Sequence, residues 1–128
     1  MDREIVNPPG VFPPQAHYSH VARVDKTLYI AGQVGLDTGG QLIGLGDAEA
    51  QADQVWRNLS AILANFGGTL QHIVKTTTFI TNWGYRPDVA RARDRNLSAP
   101  YPPNTFVVIS SLADPRYLVE IEAIAVLD

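Results

Sequence analysis

The sequence predicts an α+β fold, one domain over residues 1–128 with its elements in the order ββαβαββ. Three observations carry this prediction. Ala48 to Phe66 places apolar residues at helical spacing, and a second, shorter helical stretch opens at Pro87. The remaining patterned segments alternate with period two or are dense in β-branched residues. Proline and glycine punctuate the intervals between them.

Asn7 to Gln15 carries four of the nine prolines, cannot form a regular element, and is expected to lie as an extended arm across the domain. His20 to Asp25 alternates apolar and polar residues. Asp25-Lys26 then turns the chain into Thr27 to Ala31, which reads as a hairpin. The glycine-rich stretch Gly32 to Gly46 is a loop with a turn at Thr38-Gly39-Gly40.

The long helix starts at an Asp47 cap, with Glu49 in the first turn where the helix dipole favours a negative charge. Ala52, Val55, Leu59, Ile62, Leu63 and Phe66 form one apolar stripe, and Gly67-Gly68 supplies a left-handed stop. His72 to Thr81 reads as a strand with Val74, Thr76, Thr78 and Ile80 on one face. Pro87 suits the first position of a helix running to Leu97, which Pro100, Pro102 and Pro103 terminate. Two strands close the chain, Asn104 to Ser110 and Leu118 to Leu127.

Right-handed crossovers would lay both helices on one face of a mixed sheet. Phe106 to Ile109 and Ile121 to Val126 are apolar on both sides, so the uncovered face is not a solvent face. An exposed apolar sheet implies a partner, and self-association would put clefts between subunits.

Composition narrows the function classes. An apolar fraction of 45%, a charged fraction of 18% and a formal charge of −3 without a basic run leave no electrostatic footprint for nucleic acid. The absence of cysteine excludes disulfides, thiolate metal sites and a Cys nucleophile. No apolar run approaches a membrane span, and Met1-Asp2-Arg3-Glu4 does not open a signal peptide, so a cytoplasmic location is the default expectation. His17, His20 and His72 lack a metal-ligand spacing, and neither Gly39-Gly40 nor Gly44-x-Gly46 fits a phosphate or dinucleotide loop. No metal and no cofactor are expected. Ser110-Ser111 lacks the glycine-flanked elbow of a serine hydrolase.

Leu28-Tyr29-Ile30-Ala31-Gly32-Gln33, Ile73-Val74-Lys75-Thr76-Thr77-Thr78-Phe79, Tyr101-Pro102-Pro103-Asn104-Thr105-Phe106 and Val119-Glu120-Ile121-Glu122-Ala123 carry a resemblance that runs from the Tyr18 region to Val126. In content, order and spacing these segments resemble the RidA/YjgF family. The resemblance implies a chorismate-mutase-like domain and a homotrimer whose sheets pack into a barrel with a site at each subunit interface. It also implies hydrolysis of 2-imino or enamine acids with release of ammonia. Tyr18 matches a tyrosine that lines the pocket, Gly32 a backbone group that contacts the ligand, and Glu120 the glutamate linked to the hydrolytic water. Three positions depart from the pattern: Ala31 stands for a common serine, Ala90 for a pocket asparagine, and Asn104 for the arginine that clamps a substrate carboxylate.

The last departure matters most. An arginine–carboxylate fork supplies two charge-assisted hydrogen bonds, and losing it would weaken a small carboxylate ligand by about 10²-fold. Asn104 either retunes the pocket to a neutral or differently oriented ligand, or caps a strand after two prolines and binds nothing. Glu120 and Glu122, two apart on a strand, project to the same face about 7 Å apart. Glu120 as general base is the site reading; surface or interface ion pairing is the alternative for both. Tyr18 either closes the pocket or anchors the proline-rich arm, and Phe106 would shape the pocket with it. Arg86, Arg91, Arg93 and Arg95 form a solvated helix face unless one replaces the missing cation. Trp83 and Tyr85 are candidates for an aromatic rim, with a simple interface role the favoured alternative.

The leading functional reading is therefore a RidA-like hydrolase that deaminates a reactive imine, enamine or related small metabolite other than a simple 2-imino acid. The alternative is a non-catalytic small-molecule-binding trimer. A ribonuclease is a third reading, against which the acidic balance weighs.

Overall fold

Every strand that the period-two pattern marks is present in the computed structural model, which describes residues 2–128. Met1, part of the opening segment considered above, lies outside the described residues. The strands are β1 (Arg3–Val6), β2 (Val21–Val24), β3 (Thr27–Gln33), β4 (Ile73–Ile80), β5 (Asn104–Val108) and β6 (Val119–Val126). The helices are α1 (Ala48–Ala64) and α2 (Arg86–Asn96). The sheet order is β1-β2-β3-β6-β4-β5, with β4 and β5 parallel and every other neighbouring pair antiparallel.

Two features differ from the sequence expectation. The order is βββαβαββ, because Arg3–Val6 adds an edge strand before the proline-rich arm. Four residues, mostly exposed, carry too short an alternation to announce a strand. Val74 does not share the inner face with Thr76, Thr78 and Ile80. A register shift between Ile73 and Lys75 turns it outward, where it is 45% exposed.

The α1 cap forms as its sequence predicts: the Asp47 carboxylate accepts from the Ala50 N–H at 3.0 Å. Gly67 adopts a left-handed φ of 73° just past the helix end. Glu49, Asp53 and Asp88 join Arg91 and Arg95 in ion pairs, which tie α2 to α1. The core lies between α1 and the sheet. Leu28, Leu59, Ile62, Leu63, Ile80 and Ile121 are all fully buried there.

Strand parity then sorts the sheet residues. Thr76, Thr78, Ile80, Ile121, Ala123 and Ala125 face the helices. Thr77, Phe79, Glu120, Glu122, Ile124 and Val126 face the other way, and Tyr29 joins them through its pairing with Ile124. This second face carries no helix, and Tyr29 and Val126 on it are 49% and 42% exposed.

Candidate functional site

A cavity of about 300 Å³ opens where β3 ends and β6 begins. Phe12, Pro13, Gln15 and Tyr18 of the proline-rich arm form one wall. Gly32 and Gln33 form the second, and Asp114 and Tyr117, on the approach to β6, the third. Glu120 reaches into it from the second position of β6.

Glu120 and Gly32 are fitted to one another. The β3–β6 register shifts between Ile30 and Gln33, which brings the backbone of Gly32 under the Glu120 side chain. A Cβ at position 32 would lie 2.7 Å from Glu120 Cδ and 2.8 Å from its Cγ, distances no carbon pair tolerates. Only glycine leaves room for the carboxyl group here. Gly32→Ala is expected to swing Glu120 out of the cavity; a crystal structure of the variant with Glu120 in place would contradict this.

The cavity's titratable groups are pushed in opposite directions. Burial, and secondarily the negative charge of Glu122, raises Glu120 above the ordinary carboxylate value of 4.5. Glu120 accepts no hydrogen bond among the described residues, so nothing offsets that burial. The side chain and then the backbone N–H of Arg116 hold Asp114 down at about 2. Burial, and next the charge of Asp114, raises the Tyr117 phenol, which therefore keeps its proton as a donor. Among the described residues no lysine or arginine lines the cavity, and the Arg116 guanidinium is spent on Asp114 at 3.0 and 2.8 Å.

The wall formed by the arm is latched. His20 Nε2 lies 2.7 Å from the Phe12 carbonyl, and His20 Nδ1 lies 3.1 Å from Gln33 Nε2. The Gln33 amide nitrogen only donates, and it also donates to the Ala31 carbonyl at 3.1 Å. In this arrangement His20 Nδ1 accepts and Nε2 donates. The Asn7 side chain accepts from the His20 backbone N–H at 2.9 Å.

Two polar residues on the inner face of α1 hold the other walls. Gln51 Nε2 donates to the Gly44 and Arg116 carbonyls, each at 3.0 Å, and its Oε1 accepts from the Leu118 N–H at 2.9 Å. Asn58 Nδ2 donates to the Val34 and Leu36 carbonyls, again at 3.0 Å. Sequence reasoning missed both, and passed over His20 except as a metal ligand. Their signal is that Gln51 and Asn58 interrupt the apolar stripe two turns apart.

Of the residues the sequence nominated, Tyr18, Gly32 and Glu120 meet in this cavity. Ala31 donates its N–H to the His20 carbonyl at 2.8 Å and borders a shallower groove with Tyr29 and Glu122. Asn104 and Phe106 do not reach the Glu120 cavity within one chain. They pair with Thr76 and Thr78 and share their helix-facing side, whereas Glu120 pairs with Phe79 and faces away. Asn104 Oδ1 accepts from the hydroxyls of Thr76 and Thr78, both at 2.9 Å, beside a void of about 30 Å³ that it shares with Phe106 and buried Trp56. Ala90 is half-buried on α2 and lines no part of the Glu120 cavity.

The four arginines also separate. Arg91, Arg93 and Arg95 are each paired with carboxylates of α1 or α2. Arg86 has no carboxylate partner among the described residues. Its guanidinium carbon lies 5.3 Å from the Trp83 ring centre and 5.9 Å from that of Phe106.

Comparison with known proteins extends this picture. The family model described as Endoribonuclease L-PSP matches residues 10–127. The chain is 30% identical to the 3-aminoacrylate deaminase RutC of Acinetobacter baylyi, over 98% of each chain. It is 38% identical to the 2-iminobutanoate/2-iminopropanoate deaminase of Mus musculus, over 85% of this chain and 80% of that one. The crystal structure of RidA from an Antarctic Psychrobacter species superposes with a TM-score of 0.90 at 31% identity, covering 97% of this chain and 99% of the other.

Proposed function

We propose, from the premise that this chain belongs to the endoribonuclease L-PSP family, also called RidA/YjgF, that it is a hydrolase which deaminates a small imine or enamine. The single observation that carries this reading is the Glu120 carboxyl. It is seated against the Gly32 backbone, raised by burial, and opens into a cavity large enough for a small metabolite. A carboxylate made more basic by burial is better suited to take a proton from water than an ordinary one.

In the proposed reaction Glu120 accepts a proton from water as the oxygen bonds to the C=N carbon. The nitrogen takes up a proton, giving a carbinolamine. Glu120 then returns its proton to that nitrogen as the carbon–nitrogen bond breaks, the carbinolamine hydroxyl loses its proton, and a carbonyl compound and ammonia leave. An enamine enters the same sequence after protonation at carbon gives the imine. The Tyr117 hydroxyl and the backbone near Gly32 hold the polarised group, and Tyr18 with Phe12 excludes bulk water. Similarity to two proteins named as deaminases supports the reaction class.

The substrate differs from a simple 2-imino acid. The position of the carboxylate-clamping arginine is Asn104, whose carbonyl oxygen is engaged by two threonines, and no lysine or arginine lines the cavity among the described residues. The helix-free sheet face, which exposes Tyr29 and Val126, supports assembly into a homotrimer, with Ala31, Asn104 and Phe106 bordering the cleft between copies. The test is ammonia release from a panel of imines and enamines, with and without an α-carboxylate. Turnover of at least one member, with 2-iminobutanoate a poor substrate, is the expected result. Absence of release from every member, with a ligand-dependent rise in Tm, would point instead to a binding protein without chemistry.

A further inference from the structure

We propose that Arg86 is an anion-recognition residue, and that it holds a carboxylate on the substrate which reacts at Glu120 of a neighbouring copy. The inference rests on the interface site proposed above and deepens it by naming a charged group on the substrate.

Four arginines lie on α2, and three are neutralised by acids of α1 or α2. The fourth, Arg86, is exposed and has no carboxylate partner among the described residues. It is nevertheless not a loose surface side chain. Trp83 and Phe106 meet edge to face at 6.3 Å and 85°, and the guanidinium lies within 6 Å of both ring centres, at 5.3 and 5.9 Å. Cation–π contact on two rings restricts the side chain while leaving its N–H groups free. A planar fork held in this way loses little further freedom when it takes a carboxylate in bidentate geometry.

The placement is as informative as the chemistry. Phe106 stands two residues after Asn104 on the same face of β5, so the two positions lie about 7 Å apart along the strand. The bracketed guanidinium therefore sits beside, and not at, the place where the family pattern puts its arginine. Glu120 lies two strands away on the opposite face. A small substrate cannot span both within one chain, so the two groups meet only across a contact between copies. A carboxylate held by Arg86 would be further from the reacting carbon than in a 2-imino acid. That geometry fits an imine or enamine whose carboxylate is separated from the C–N carbon by at least one more atom.

Binding and turnover test this separately. With ¹⁵N-arginine-labelled protein at constant ionic strength, propionate should shift the Arg86 Nε–Hε resonance saturably. Propionamide should leave it in place. The resonance is assigned by its loss in Arg86→Lys, and in Trp83→Ala the propionate affinity should fall several-fold. No propionate-dependent shift, or an equal shift with propionamide, would overturn the proposal whatever the enzyme turns over. In ammonia-release assays Arg86→Ala should raise KM for an enamine carboxylate by roughly tenfold or more, and leave KM for its methyl ester unchanged. An equal rise for acid and ester would also overturn it. Failure of the wild-type protein to release ammonia from any compound counts against the deaminase reading alone, and the propionate titration still decides the role of Arg86.

Discussion

Glu120→Gln is expected to lower kcat for ammonia release by about 10² to 10⁴-fold, the range a positioned general base contributes, and to leave the protein at least as stable as the parent near pH 8. The two effects have one cause. Burial and the charge of Glu122 raise Glu120 above 4.5, so ionising it in the folded protein is harder than in the unfolded chain. The unfolded chain releases this proton first as pH rises. Ionised Glu120 therefore subtracts stability above the window that starts at 4.5, and that loss is absent below it. Glutamine keeps the shape against Gly32 without the charge, so Tm at pH 8 should hold or rise while activity collapses. For activity the sign reverses. The deprotonated form is the base, so kcat/KM should climb with pH along an acid limb above the usual carboxylate range. Glu122→Gln removes the second cause of the shift and should move that limb to lower pH. A limb that stays put would mean that another group limits the reaction. A clear fall in Tm for Glu120→Gln would mean that the carboxylate has a structural partner.

The shared face of Glu120 and Glu122 was legible because it depends on strand parity alone, whereas the family resemblance, and no local pattern, singled out Glu120 of the two. Glu120 and Glu122 had to share a face once Val119 to Val126 was read as a strand, and they do. The long helix was legible for a similar reason: Asp47, the apolar stripe and Gly67 all act within a turn or two of themselves. Asn104 was not legible in this way. Whether it faces the helices or the open side depends on its pairing with Thr76, a long-range register that no local pattern carries. The hydroxyls of Thr76 and Thr78 then occupy its carbonyl oxygen, a use that neither sequence reading of Asn104 contained. Val74 failed through a single register shift, and β1 through its brevity. His20 illustrates a different limit. Its two ring nitrogens are claimed by groups 8 and 13 residues away, so its role as the latch of the arm exists only in the folded chain.

The largest stability effect is expected at Gln51→Leu, although glutamine and leucine have similar volumes and both suit a helix. Gln51 is 0% exposed and makes three hydrogen bonds to backbone groups, two of which flank Tyr117 of the cavity wall. Leucine would leave the Leu118 N–H and the Gly44 and Arg116 carbonyls without this partner, each at about 1–3 kcal/mol when buried. The two carbonyl contacts are only part-buried and cost the low end of that range. Added apolar burial recovers on the order of 1 kcal/mol, so a net loss of roughly 3 kcal/mol is expected, a fall in Tm of about 10 °C or more. The damage should not stop at stability. The Leu118 N–H and the Arg116 carbonyl flank Tyr117 and set the entry to β6, two residues before Glu120. Gln51→Leu that remains folded at low temperature should therefore show a reduced kcat, whereas Arg57→Leu, on the exposed side of α1, should change neither Tm nor kcat appreciably. Urea unfolding measures the first effect. A loss below about 1 kcal/mol would show that the three backbone groups find other partners when glutamine is gone. The rim of the cavity would then be held by the sheet alone and not by α1.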